Sequence, residues 1–248
     1  DLDVFVLNHG VRNLANQPFS WLKAMKLMKD DLMRRSSSQL YRNDDGAFVN
    51  VTQSSGLVGP DFGLGVSVAD FDGDGDVEVV VPGPNGMVYG LGDDGSDWPG
   101  FPVTVPSGAH VSSIALAQIL GSVTPELIFT TDAGEVEAYF SNGQSLNNFP
   151  KPMGTFQRHT PVVQNVDAGV ASDIVVGAED QSIYAWKNFG NPVVGWPRDV
   201  GDWVNRGAAI GNLGFDAHLE VAVLSESQLM VFNVNSVANS GISSWPMY

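Results

Sequence analysis

Five acidic residues lie close together in one short, glycine-containing stretch of the sequence. Three aspartates occupy alternating positions, a glycine then permits a sharp turn, and a glutamate closes the stretch at its ninth position. Oxygen ligands at this density suit a hard cation such as Ca²⁺, and without one the carboxylates would repel each other. We therefore predict a calcium site, with Asp76 contributing its backbone carbonyl, made by Asp70, Asp72, Asp74, Asp76 and Glu78.

Two other interpretations of this stretch compete with the first. An EF-hand loop has similar spacing at its start, but it needs a preceding helix and a glutamate at the twelfth position, where this chain has Val81 after a strand-like run. A metal-free acidic turn is the second alternative. The predicted role of the cation is structural, because the site would pin a turn between two strands.

Three later stretches repeat this loop in weaker form. One copy replaces nearly all of the acidic positions and should not bind metal; it carries Gln118, Leu120, Ser122 and Glu126. The other two each keep three side chains with ligand oxygens. We predict weak or vacant metal sites there, formed by Asn165, Asp167 and Asp173 in one copy and by Asn212, Asp216 and Glu220 in the other.

The sequence shows no catalytic constellation. Its four histidines have no metal-ligand spacing, and none accompanies a nucleophile-elbow motif. Repeat register nevertheless places His159 and Arg206 at the start of innermost strands, with His110 and Arg158 close to the same level, so these four could line a shared polar mouth. The alternative is that they are ordinary solvated or hydrogen-bonded loop residues.

These loops belong to a repeat of about 47 residues. The acid that follows each loop recurs at spacings of 48, 47 and 47, at Glu78, Glu126, Asp173 and Glu220. An aromatic-proline step keeps the same register, at Phe101-Pro102, Phe149-Pro150, Trp196-Pro197 and Trp245-Pro246. A fifth, divergent copy opens the chain, because residues 1–6 match residues 76–81.

Each repeat predicts four strands. In the second copy they are Val66–Phe71, Val77–Val81, Met87–Leu91 and Phe101–Val105. Four short strands per repeat are the size of a propeller blade, although a sandwich with accidental self-similarity is an alternative. We predict an all-β fold, a β-propeller of four-stranded blades with about five blades visible, as part of a larger ring rather than a five-bladed one. The predicted single propeller region 1–248 has blades at about 1–60, 61–108, 109–155, 156–202 and 203–248.

Two parts of the repeat carry a family resemblance. The segment Ala69–Val81, and later Ser182–Trp186 with Val194–Pro197, resemble the FG-GAP/VCBS repeats of integrin-α-type propellers. The opening blade, at residues 40–52, is similar to the FG-GAP region of cartilage-acidic-protein-like secreted proteins. This resemblance implies a propeller on secreted or surface-exposed proteins that serves adhesion and recognition. The same blades also occur as scaffolds around enzymes such as polysaccharide lyases.

Residues 10–38 interrupt the strand pattern with a predicted helix. Apolar residues recur there at helical spacing, and seven of the 12 basic residues of the chain lie between Arg12 and Arg42. A basic amphipathic helix could dock on a membrane or an acidic partner, or simply pack on the neighbouring blade. In the integrin-like propellers that the chain resembles, the starts of the innermost strands and the links between second and third strands lie on the ligand-binding side. The insertion is a link of this kind, so we expect it to overhang the mouth, opposite the Asp70–Glu78 loop.

Composition excludes several classes of function. The formal net charge of −16 disfavours binding to nucleic acid, and the absence of cysteine excludes disulfides and thiolate chemistry. No apolar run is long enough to span a bilayer, and the opening Asp1-Leu2-Asp3 is unlike a signal peptide and predicts a processed or truncated N-terminus.

The predicted function is that of a calcium-stabilised module, extracellular, on the cell surface or periplasmic. It would bind a protein or glycan ligand, a larger assembly or the rest of its own chain. An enzyme would need convergent basic or tyrosine groups, and basic residues are sparse outside the insertion, so we expect no catalysis. The alternative is the propeller scaffold of a carbohydrate-active enzyme such as a polysaccharide lyase.

Overall fold

The computed structural model describes residues 4–6, 39–44, 47–51, 53–54, 65–92, 94–154, 159–204, 206–213 and 218–237. Regular structure in these ranges is antiparallel β, apart from one 3-10 turn at Pro84–Gly86. The predicted insertion at residues 10–38 lies outside the described residues. Within the part that is described, no helix has the length and hydropathy to cross a membrane.

In the described residues eighteen strands form five separate sheets, and within each sheet neighbouring strands are consecutive in the chain. The first sheet contains β1 (Val4–Val6), β2 (Gln39–Asp44) and β3 (Ala47–Asn50). The second contains β4 (Ser67–Ala69), β5 (Glu78–Pro82), β6 (Met87–Leu91) and β7 (Val103–Thr104). The third contains β8 (Ala115–Ala117), β9 (Glu126–Thr131), β10 (Glu135–Tyr139) and β11 (Lys151–Pro152).

The last two sheets repeat the same meander. The fourth sheet contains β12 (Val162–Gln164), β13 (Asp173–Gly177), β14 (Ser182–Trp186) and β15 (Arg198–Asp199). The fifth contains β16 (Ala208–Gly211), β17 (His218–Leu224) and β18 (Leu229–Val237). The predicted all-β fold with four-stranded blades is therefore confirmed, and the divergent opening copy forms a sheet of its own.

Strand boundaries in the second sheet differ from the prediction in a way that local hydrogen bonding explains. The strand β6 has the predicted bounds, whereas β4 stops at Ala69. The amides that follow β4 donate to carboxylates of the acidic loop, so they are not available to the sheet. The strand β7 begins only at Val103, because Pro102 has no N–H to donate.

From the second sheet to the fifth, consecutive sheets pack face to face across apolar seams. Side chains alternate along a strand, so β9 sends Leu127 and Phe129 into the seam with the second sheet and Ile128 into the seam with the fourth. All three are fully buried. A middle strand covered on both faces explains why the sequence shows continuous apolar runs at these positions.

The fifth sheet is packed on one face. Leu219, Val221 and Val223 of β17 are buried in the seam with the fourth sheet. On the other face, exposed fractions reach 65% at Leu229 and 48% at Val231. Leu229 occupies the same register position as Ile183 of β14, which is fully buried, because each pairs with the last residue of the second strand of its sheet.

Candidate functional site

The loop between β4 and β5 is folded around its own carboxylates. Asp70 accepts hydrogen bonds from the amides of Gly73, at 2.5 Å, and Gly75, at 3.1 Å. Both glycines have positive φ, 84° and 101°, which is the conformation that glycine adopts at least cost. The sequence therefore holds this loop tightly curled, with its acidic side chains gathered at one end of the sheet.

This curl brings three of the five predicted ligands together. Oxygens of Asp70, Asp72 and Glu78 lie within 4.8 Å of one another. The Asp74 carboxylate lies outside this group of side-chain oxygens and accepts a hydrogen bond from the Asp76 amide at 2.8 Å; the backbone carbonyl predicted as the ligand from Asp76 stays a prediction. The group fits a hard divalent cation, because all three donors are carboxylate oxygens.

The electrostatics of Glu78 also favour a bound cation. Its side chain is 2% exposed, and burial raises its pKa, as does repulsion from Asp72, Asp74 and Asp70; the Phe71 amide lowers it. A bound Ca²⁺ would neutralise this concentration of negative charge. Asp70, Asp72 and Glu78 would hold it, and the site would stabilise the β4–β5 turn without supplying reaction chemistry.

The acid that follows each loop has a second role that the spacing analysis did not reveal. In every described copy it is buried and accepts a hydrogen bond from the backbone amide seven residues earlier. These pairs are Glu78 with Phe71 (2.6 Å), Glu126 with Ile119 (2.8 Å), Asp173 with Val166 (2.8 Å) and Glu220 with Leu213 (2.7 Å). The acid that recurs in register in the sequence is the residue that closes each loop through this hydrogen bond. The closure needs no metal.

The two weaker candidate sites differ from the first. In the fourth sheet the Lys187 ammonium forms an ion pair with Asp167, which lowers the pKa of Asp167, while burial raises the pKa of Asp173 to about 6. Asn165 donates its side-chain amide to the Gly169 carbonyl. A side-chain cation thus already stands beside this loop and would compete with a metal ion there; the weak or vacant site stays a prediction.

The corresponding loops of the fifth and third sheets carry fewer acidic side chains. In the fifth sheet Asn212 is exposed and Glu220 is buried, whereas Asp216 lies outside the described residues. In the third sheet the Ser122 hydroxyl donates to Glu126 at 2.7 Å and the Gln118 side-chain amide donates to the Val123 carbonyl at 2.7 Å. Uncharged side chains therefore form the hydrogen bonds inside the loop that was predicted not to bind metal.

The opposite end of the sheets forms a second surface, called the loop face. It consists of the turns between second and third strands together with the loops that lead from one sheet to the next. Backbone hydrogen bonds join the two kinds of segment: Val105 N to Gly86 O, Asp132 N to His110 O, Met153 N to Gly134 O, Val200 N to Gln181 O, Val204 N to Ala178 O and Glu226 N to Trp203 O. The predicted shared face is therefore present in the described residues.

Two of the predicted mouth residues have defined surroundings on the loop face. His110 is exposed, and its Nδ1 lies 2.9 Å from Asp132 Oδ2. The carbonyl of His159 accepts a hydrogen bond from the Thr130 hydroxyl at 2.9 Å, and burial, with the nearby Arg206, lowers the pKa of His159. Arg206 is exposed, and Arg158 lies outside the described residues.

One prominent residue of the loop face was missed at the level of sequence. Trp203 is 54% exposed, in the loop between β15 and β16. It lies three residues before Arg206. A tryptophan between two strands can be buried or exposed, so the sequence did not indicate that this one is exposed.

Comparison with known proteins agrees with this architecture. Residues 29–81 match the FG-GAP-like repeat. No curated protein shows significant similarity to the chain. Among solved structures, BamB from Moraxella catarrhalis aligns with a TM-score of 0.50 and 16% identity, covering 80% of this chain and 58% of that one.

The computationally designed Ika8 protein also aligns with a TM-score of 0.50, at 11% identity, covering 80% of this chain and 56% of that one. The chain thus spans little more than half the length of either structure, and identities this low establish the fold alone. The chain carries an FG-GAP-like repeat within a β-propeller-like fold.

Proposed function

We propose that this chain is a calcium-stabilised, non-catalytic interaction module that works outside the cell and binds a protein or glycan through the loop face. The observation that carries the proposal is the backbone hydrogen bonding between turns and loops on that face. A surface already held in one conformation loses little conformational entropy on binding, which favours recognition. FG-GAP-like repeats in a propeller-like fold are consistent with a protein-interaction role.

Calcium belongs to this proposal through the Asp70, Asp72 and Glu78 group, which lies at the other end of the sheets. Extracellular calcium modules bind with dissociation constants of about 10⁻⁴ to 10⁻³ M, which suits a site with few ligands. FG-GAP-like repeats are typical of extracellular proteins, which supports the extracellular location. The cation would stabilise the fold and leave the loop face to the partner.

Binding arrays of secreted proteins and of glycans, probed with the purified chain in calcium and in chelator, test this function. We expect selective binding in calcium that a combined His110→Ala and Arg206→Ala variant alters. Cleavage of a polysaccharide without stable binding would overturn the proposal in favour of a lyase scaffold. Equal binding by the variant and the wild type would remove the assignment to the loop face.

A further inference from the structure

The loop between β15 and β16 presents an exposed tryptophan on a rigid support. Trp203 leaves 54% of its surface open, although tryptophan is among the side chains that gain most from burial. The backbone on both sides is fixed, because Val204 N donates to Ala178 O at 3.2 Å and Glu226 N donates to Trp203 O at 3.0 Å. An exposed tryptophan on a fixed backbone is typical of the residues that contribute most to a protein interface.

The loop is also held at its start. Val200 N donates to Gln181 O at 2.7 Å, and the Gln228 side-chain amide donates to the Val200 carbonyl at 2.8 Å. The loop therefore lies between the β13–β14 turn on one side and the β17–β18 turn on the other. Whatever binds Trp203 also meets the side chains of these two turns.

Carboxylates predominate around this tryptophan. The loop, the strand end before it and the two neighbouring turns contribute five carboxylates against two arginines: Glu179, Asp180, Asp199, Asp202 and Glu226 against Arg198 and Arg206. A hydrogen bond from the Ser227 hydroxyl lowers the pKa of Asp202, which is therefore ionised at neutral pH. The burial and the nearby arginine that lower the pKa of His159 keep that side chain neutral. The local charge is thus negative.

We propose that Trp203 and its acidic surroundings bind a lysine- or arginine-rich peptide segment of a protein partner. This inference rests on the proposed function and names the class of partner. A cationic side chain over the indole face gains a cation–π interaction, and the surrounding carboxylates attract further positive charges and steer their approach. The geometry disfavours an acidic ligand, because such a ligand would meet the same carboxylates.

Fluorescence anisotropy with a short labelled peptide of alternating arginine and serine tests the proposal. A peptide with citrulline in place of arginine has nearly the same shape without the charge. We expect binding of the arginine peptide that weakens as salt is added, and little binding of the citrulline peptide. Trp203→Ala should weaken binding by about fivefold, the size of a surface cation–π contact, and Trp203→Phe by less.

A matched control comes from the other end of the sheets. Phe189 is 58% exposed in the β14–β15 turn, so Phe189→Ala removes an equally exposed aromatic side chain outside the proposed surface. It should leave the affinity unchanged, whereas Asp202→Asn with Glu226→Gln should reduce both the affinity and its salt dependence. Thermal melting of each variant separates loss of binding from loss of fold.

Three results would overturn the inference: equal affinity of Trp203→Ala and the wild type, an equal loss in Phe189→Ala, or equal binding of the citrulline peptide. Binding of neutral oligosaccharides, lost in Trp203→Ala, without any peptide binding would assign the surface to glycans and also reject it. If Trp203→Ala binds the arrays as the wild type does, this inference is wrong and the proposed function is unaffected. An absence of array binding rejects the proposed function itself.

Discussion

Replacing Glu137 with glutamine should abolish a loss of stability that the wild-type protein suffers as pH rises. Glu137 lies on β10 directly opposite Phe129 and therefore shares its face, in the seam between the second and third sheets. It is 1% exposed, and within the described part of the chain no group donates a hydrogen bond to either carboxylate oxygen. A carboxylate in such surroundings is costly to ionise.

The magnitude follows from the pKa. Burial, together with the negative charge of Glu135, raises the pKa of Glu137 from 4.5 to about 7. In the unfolded chain the carboxyl ionises near its ordinary pKa, so the folded state holds the extra proton between these two values. The stability that the raised pKa of Glu137 contributes to the folded state is fully present below pH 4.5. It is lost as pH rises to about 7, which lowers the free energy of unfolding by about 3 kcal/mol in total.

Urea unfolding at a series of pH values between about 4 and 8 measures this effect. Taking the difference in unfolding free energy between Glu137→Gln and wild type cancels the other titrating groups, including Asp173. We expect the variant to gain about 3 kcal/mol relative to wild type across this range. Glu135→Gln, a half-buried neighbour on the same strand, is the matched control and should keep most of the pH dependence.

A constant difference between Glu137→Gln and wild type across the pH series would refute this reasoning. It would mean that the carboxyl ionises in the folded state at its ordinary pKa, through a partner or solvent that reaches the seam.

Three further perturbations test the loops and the seams. Calcium at about ten times its dissociation constant should stabilise the wild type by about 1.4 kcal/mol, and Asp72→Ala with Asp74→Ala should remove the response in calorimetry; equal wild-type melting temperatures in calcium and in chelator would contradict the site. Lys187→Met removes the ion pair with Asp167, so melting should become more responsive to calcium than in wild type, while Lys187→Arg should behave like wild type; the absence of any difference would show that the ammonium does not compete for the loop. Ile183→Ala should cost about 3 kcal/mol in urea unfolding because it opens a cavity in a seam, whereas Leu229→Ala, at the equivalent but exposed position, should cost less than about 1 kcal/mol; similar losses would argue against the packing described.

The sequence by itself determined the repeat, the strand order and the location of the acidic loop. Two markers at intervals of 47 to 49 residues fixed the register, and the alternation of side chains along a strand then decided which positions could be buried. The bounds of β6 follow directly from the apolar run between a turn and a glycine. Local chemistry alone, through the glycines and carboxylates of residues 70–78, was enough to predict a curled loop.

Other properties were decided by tertiary structure, because they depend on which segments meet across the sheets. The spacing of five acids did not reveal that Asp70, Asp72 and Glu78 converge while Asp74 turns to the Asp76 amide. Lys187 reaches Asp167 only because the turn after β14 stands beside the loop before β13. Trp203 and Glu137 show the same limit in opposite directions: an aromatic residue expected in a core is exposed, and a charged residue expected at the surface is buried. For Glu137 the neighbouring sheet, distant in the chain, determines the access of solvent.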